Sequence, residues 1–180
     1  MIENEKNLKK RKFNVKAICV TAVMAALIFV FTYTFKIPLG TGYTHLGDVM
    51  IFLSLLLLGS KKSCFAAGVG AALADLIGGY AQWVVPTFFI KLIMVMICGL
   101  FTEKFIKNKT IGYVVGAVLG GLFQIGAYTA VKVVLFDKAY ALTTFPELAL
   151  QTAVGIVVAI VIITIFNKTK VTGKLRKMAQ

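Results

Sequence analysis

CFAAGVGAALADLIGGY (residues 64–80) and VVPTFFIKLIMVMICGLF (residues 84–101) are the stretches whose reading decides the fold. Each matches the roughly 17–25 apolar residues that a membrane-crossing helix needs. Each also carries a single ionisable group, Asp75 in the first and Lys91 in the second. A charge at the centre of a membrane helix costs about 2.5–3.5 kcal/mol on insertion scales, so it faces a partner, a cavity or a ligand. Two groups of opposite sign on consecutive helices point to a buried polar site inside a membrane protein.

The rest of the chain has the same character. Its 180 residues are 59% hydrophobic and 15% charged, with a mean hydropathy of +0.88. That is too apolar for a soluble domain, and the length suits about six spans of roughly 20 residues each. The net charge of +13 would suggest nucleic acid in a soluble protein. Here the charges fall in short breaks between apolar runs, so no nucleic-acid partner is expected, only the bilayer. Cys19, Cys64 and Cys98 lie inside apolar runs without metal or disulfide spacing, which predicts small core residues. The first apolar run is too long for a cleavable signal and lacks a small-residue cleavage site.

Taken in order, a basic segment (residues 1–14) precedes the membrane domain (15–167), and a basic tail (168–180) follows it. The apolar runs cover about 15–35, 45–58, 64–80, 84–102, 111–135 and 146–166. KIPLGTGYT (36–44) reads as a turn, GSKKS (59–63) and EKFIKNKT (103–110) as breaks, and FDKAYALTTF (136–145) as a loop. The second run is short enough to be re-entrant, but charge bias argues for a span. With the N-terminus inside, the inner segments hold Lys6, Lys9, Lys10, Arg11, Lys12, Lys16, Lys61, Lys62, Lys104, Lys107, Lys109, Lys168, Lys170, Lys174, Arg176 and Lys177. The outer loops hold Lys36 and Lys138. The expected fold is therefore an all-α integral membrane protein of six transmembrane helices, with both termini cytoplasmic.

Small residues mark the expected helix contacts. Ala22 and Ala26 are four apart, Gly112, Gly116 and Gly120 repeat that spacing, and Gly68, Ala71, Ala72, Asp75 and Gly79 share one face. Such faces let backbones approach closely. The polar side chains gather towards the outer side. Asp48 opens the second helix, Gln124, Tyr128 and Lys132 recur along the fifth, and Glu147 and Gln151 open the sixth. Tyr43, His45, Tyr80, Gln82 and Trp83 lie near the outer loops, and His45 could also serve as a loop cap. The inner half is almost wholly apolar. An outward cavity with both charges, amides and aromatic rings suits a small heteroaromatic, zwitterionic or polyhydroxylated solute. One histidine supports neither a metal centre nor a catalytic triad, and no glycine-rich phosphate loop is present. No cofactor and no enzymatic activity are expected.

With these residues in view, the stretch from Thr44 to Phe101 resembles the substrate-binding S component of energy-coupling-factor (ECF) vitamin transporters. It is most similar to the riboflavin, hydroxymethylpyrimidine and pyridoxine-type branch. The shared features are His45-Leu46-Gly47-Asp48, the Gly59 break, Asp75 before Gly78-Gly79, Lys91 followed by Gly99, and Ala22-xxx-Ala26. Ser60 departs from the pattern, since relatives often carry proline there. The resemblance implies a subunit of the bacterial cell membrane that captures a vitamin from outside and associates with a transmembrane coupling subunit and two ATPase subunits. It also implies delivery by toppling in the membrane, docking through Ala22 and Ala26, and a lid over residues 36–44 with Gly40 and Gly42 for flexibility. Tyr43, His45, Asp48, Asp75, Tyr80, Trp83, Lys91, Gln124, Tyr128, Lys132, Glu147 and Gln151 are the expected substrate-binding set. The competing reading is a non-transporting accessory protein or small membrane enzyme in which Asp75 and Lys91 form a purely structural pair.

Overall fold

The computed structural model describes the backbone of residues 15–39 and 42–168, with side chains for 15–35 and 45–166. The basic N-terminal segment, Gly40, the Tyr43 side chain and nearly all of the basic tail lie outside the described residues. The elements are α1 (Val15–Thr34), β1 (Lys36–Leu39), β2 (Gly42–His45), α2 (Gly47–Leu58), α3 (Ser60–Ile77), α4 (Ala81–Leu100), α5 (Lys109–Leu135), α6 (Lys138–Thr143) and α7 (Phe145–Lys168). A π-helical turn, Phe101–Phe105, prolongs α4.

Among the described residues, four segments are long and apolar enough to cross a membrane: Val15–Thr34, Ala81–Phe105, Lys109–Leu135 and Lys138–Phe166. Their outward faces carry large apolar side chains such as Val23, Phe89, Leu122 and Val157, as lipid contact requires. α2 behaves differently. Its 12 residues span only about 18 Å, yet nine of them, from Gly47 to Leu56, are buried. α1, α3, α4 and α7 all pack against it. A helix sheathed by protein need not match the bilayer thickness, which gives the short second run its physical reason.

Two connections depart from the sequence reading. The stretch read as a turn is an antiparallel hairpin, with Lys36 opposite His45 and Leu39 opposite Gly42, and β2 lies against α7 and α1. Pairing satisfies backbone groups that a bare turn would leave exposed to an apolar surrounding. The loop before α7 contains α6, whose first turn is capped by the Asp137 carboxylate accepting the Tyr140 N–H at 2.6 Å. Gly59, at a φ of 77°, supplies the left-handed conformation that reverses the chain between α2 and α3.

Close helix contacts follow the small residues. A Cβ at Gly112, Gly116 or Gly120 would lie 2.5, 2.6 or 2.8 Å from the carbonyl oxygens of Phe101, Cys98 or Met94. Only glycine lets the α5 backbone approach α4 this closely. On α3, a Cβ at Gly68 would meet the Phe88 ring at 3.0 Å, and one at Gly70 the Ala25 carbonyl at 2.5 Å. α3 is thus wedged between α4 and α1. Ser60 finds a role that proline could not fill: its N–H and hydroxyl donate to the Glu103 carboxylate at 3.0 and 2.7 Å. This places a negative charge at the start of α3, where the helix dipole favours it. The three cysteines are not equivalent. Cys98 is buried and Cys64 partly so, but Cys19 is exposed on α1 and is not a core residue.

Candidate functional site

The polar residues near the N-terminus of α2 meet in one buried layer. Asp48, in the first turn of α2, pairs with Lys91 of α4. Lys91 Nζ also donates to Gln124 Oε1 at 2.6 Å, and Gln124 Nε2 donates to Asp48 Oδ2 at 2.8 Å and Thr152 Oγ1 at 2.9 Å. Gln151 Nε2 reaches the same Asp48 oxygen at 3.3 Å. Asp48 and Gln124 are 0% exposed and Lys91 1%. Charges this deep are tolerable only when paired and hydrogen-bonded, and here every carboxylate oxygen has a donor. Gly155 permits the arrangement, since a Cβ there would come within 2.9 Å of the Asp48 side chain.

The competing sequence reading paired Lys91 with Asp75; the layer gives it a different carboxylate. Lys91 takes Asp48 and Gln124 as its hydrogen-bond and ion-pair partners. Asp48 reaches Lys91 because α2 occupies the centre of the bundle, with its first turn at the depth of the lysine. A carboxylate in that first turn is also favoured by the helix dipole.

Directly over the layer lies a cavity of about 160 Å³. Of the residues expected from sequence, His45, Asp75, Tyr80, Trp83, Lys91, Tyr128, Lys132, Glu147 and Gln151 line it. Asp48 and Gln124 belong to the layer that carries Lys91. One wall is aromatic: Trp83 lies 5.9 Å from Tyr128 and 6.0 Å from Phe136, and Phe136 lies 4.7 Å from Tyr140, between ring centroids. Lys91 Nζ sits 5.5 Å from the centre of the Tyr128 ring, within cation–π range. The Tyr128 hydroxyl donates to Thr87 Oγ1 at 3.1 Å. Towards the rim, Lys132 Nζ donates to Thr144 Oγ1 at 2.8 Å and lies 5.9 Å from the Tyr140 ring centre. His45 combines the two roles open to it, lining the cavity and accepting the Gly47 N–H on Nδ1 at 3.2 Å.

Thr32, Thr87, Tyr140 and Thr144 also line the cavity and were missed by sequence reasoning. Tyr140 and Thr144 were hidden in a stretch read as plain loop. A threonine in an apolar run gives little signal, because its hydroxyl usually bonds back to its own helix. A second concavity, between α1 and α3, is almost wholly apolar. Ala22, Ala25, Phe65 and Val69 line it, and Lys61 and Lys62 stand along it. Of the two alanines expected to dock a partner, Ala22 borders this groove, whereas Ala26 is exposed on α1 beside it.

A helical membrane protein agrees with the comparisons. The family model described as ECF-type riboflavin transporter, S component, matches residues 12–168. The chain belongs to this family. It is a vitamin-type substrate-binding subunit, a multi-pass membrane protein and a transport component rather than an enzyme. The thiamine precursor transporter HmpT of Lactococcus lactis subsp. cremoris (strain MG1363) is 26% identical over 167 residues, covering 91% of this chain and 95% of HmpT. An uncharacterised protein of Pyrococcus woesei, from the gap 3′ region, is 37% identical over 122 residues, covering 68% of this chain and 80% of that protein.

Proposed function

We propose that this S component captures a single-ring vitamin or vitamin precursor, B6-like or a pyrimidine thiamin precursor, from outside the bacterial cell. The observation that carries this reading is the size of the cavity. About 160 Å³ is below the roughly 300–1,000 Å³ usual for drug-sized ligands, so one substituted ring suits it better than a three-ring flavin with its sugar-alcohol chain. HmpT, a thiamine precursor transporter by name, supports the same side. The description of the matched family favours riboflavin as the second reading.

In this reading the ring stacks on Trp83 or Tyr80, while Asp75 takes a polar substituent. An ammonium has three donors, and Lys91 commits two of them to Asp48 and Gln124, leaving one for the ligand. The chain crosses the bacterial membrane six times with both termini cytoplasmic, as the distribution of lysines favours, and the cavity opens outward beneath the hairpin. Transport requires a coupling subunit and two ATPase subunits, which this chain meets through Ala22 and Ala26 on α1. The loaded subunit topples to release its cargo inside.

Trp83 is the only tryptophan and lines the cavity, so its fluorescence reports binding from one place. Titration of the purified protein with water-soluble vitamins is expected to give saturable quenching by hydroxymethylpyrimidine or pyridoxine, with calorimetry showing no riboflavin binding at matched concentration. Saturation by riboflavin alone would overturn the single-ring assignment. Silence with every vitamin in both methods would favour an accessory role.

A further inference from the structure

The chain carries 20 lysines and arginines against 7 acidic residues. Around the cavity the balance runs the other way. Of the 7 carboxylates, Asp75 and Glu147 stand in the lining and Asp48 lies in the layer beneath it. They meet two ammonium groups, Lys91 and Lys132. His45 does not make up the difference. Its Nδ1 accepts the Gly47 N–H at 3.2 Å, and an imidazolium has no nitrogen left to accept. The described residues around the cavity therefore hold one negative charge in excess, however they pair among themselves.

Both ammonium groups are also engaged. Lys91 is bonded to Asp48 and Gln124 and stands over the Tyr128 ring. Lys132 donates to Thr144 Oγ1 at 2.8 Å and lies 5.9 Å from the centre of the Tyr140 ring. An anion entering the cavity must draw a lysine away from these partners. A cation meets carboxylates and the faces of aromatic rings, which attract positive charge. Trp83, the ring type with the strongest such face, stands beside Tyr128 in the same wall. At an effective dielectric constant of about 20, two unit charges about 6 Å apart change an affinity by roughly a hundredfold. One charge in excess is therefore enough to sort ligands by sign.

We propose that the cavity selects a ring bearing an amine or a protonated ring nitrogen over the same ring bearing a carboxylate or phosphate. The inference rests on the reading of the cavity as the vitamin site, and it narrows the substrate to basic heteroaromatic molecules. Asp75 on the wall and Glu147 in the first turn of α7 supply the selecting charge.

The test is calorimetric titration of the full-length protein with two series in which one substituent changes on a constant ring. The first is pyridoxamine, pyridoxine and 4-pyridoxate; the second is hydroxymethylpyrimidine with its aminomethyl and carboxylate counterparts. In the series that binds, the amine should bind at least as tightly as the alcohol and about a hundredfold more tightly than the carboxylate. Glu147→Gln removes the excess charge and should shrink the amine-to-carboxylate ratio about tenfold or more. A general loss of folded protein lowers every affinity together and leaves that ratio alone. A wild-type ratio below about tenfold, or one unchanged in both Glu147→Gln and Asp75→Asn, would overturn the inference while leaving the vitamin site standing. Failure of the wild-type protein to bind any member of either series would also overturn it. Silence with every other vitamin as well would take the site reading down with it.

Discussion

The two ends of this bundle are made from the same helices but solve opposite problems. At the hairpin end, α2, α4, α5 and α7 converge through side chains: an ion pair, two glutamines and a threonine hold them around a buried charge. At the Gly59 end the backbones themselves touch. There α5 lies on α4 through Gly112 and Gly116, with no side chain between them, and Ser60 donates to Glu103. Packing through glycine leaves no space to bind anything, whereas packing through long polar side chains leaves a cavity above them. In the function proposed above this difference separates capture from docking: the polar cavity occupies one end, and the apolar groove between α1 and α3 lies towards the other.

The hairpin end is most sensitive at Lys91. Lys91→Met leaves the Asp48 carboxylate buried with only amide donors, and removing one partner of such a pair destabilises by about 3–5 kcal/mol. The unliganded melting temperature should therefore fall steeply, and Lys91→Met with Asp48→Leu should recover part of the loss. The position of Asp48 makes stability the first property to fall. A melting temperature unchanged in the single variant would show that the layer does not hold the helices together.

Asp75→Asn probes the same end with the opposite expectation. Asp75 is only partly buried on the cavity wall, so ligand affinity should drop about tenfold, the cost of one hydrogen bond to a charged group. The unliganded melting temperature should barely move. Equal affinity in calorimetry would take Asp75 out of the site and leave the cavity to Lys91 and the aromatic wall.

Ala22→Trp addresses the other end and should have the smallest effect on the isolated protein, because the groove is a surface. Melting temperature and vitamin affinity should match the wild type, while co-purification with the coupling and ATPase subunits is lost. Normal co-purification would move the docking face elsewhere; weakened vitamin binding would mean that the two ends are not independent.

Most of the framework was legible because apolar run length and small-residue spacing are local properties. The α4–α5 contact could be anticipated from Gly112, Gly116 and Gly120, since glycine repeated every four residues leaves one reason to approach. Asp75 and Lys91 drew attention because isolated charges in apolar runs are costly wherever they stand. Cys19 was misjudged because an apolar neighbourhood in sequence does not distinguish the lipid face of a helix from its core face. Thr32 and Thr87 gave no signal, as their type is unremarkable until the hydrogen bonds are drawn.

A helical membrane protein, the approximate ends of its helices, and the gathering of polar groups towards one side are all written along the chain. These follow from hydropathy and helical period, which each segment carries whatever surrounds it. Only the tertiary structure decided which carboxylate answers Lys91. That choice depends on how deep α2 sits in the bundle, on Gly155 letting α7 close over Asp48, and on Gln124 reaching both charges at once. Partnerships between groups 43 and 76 positions apart are set by packing geometry, and no local pattern encodes them.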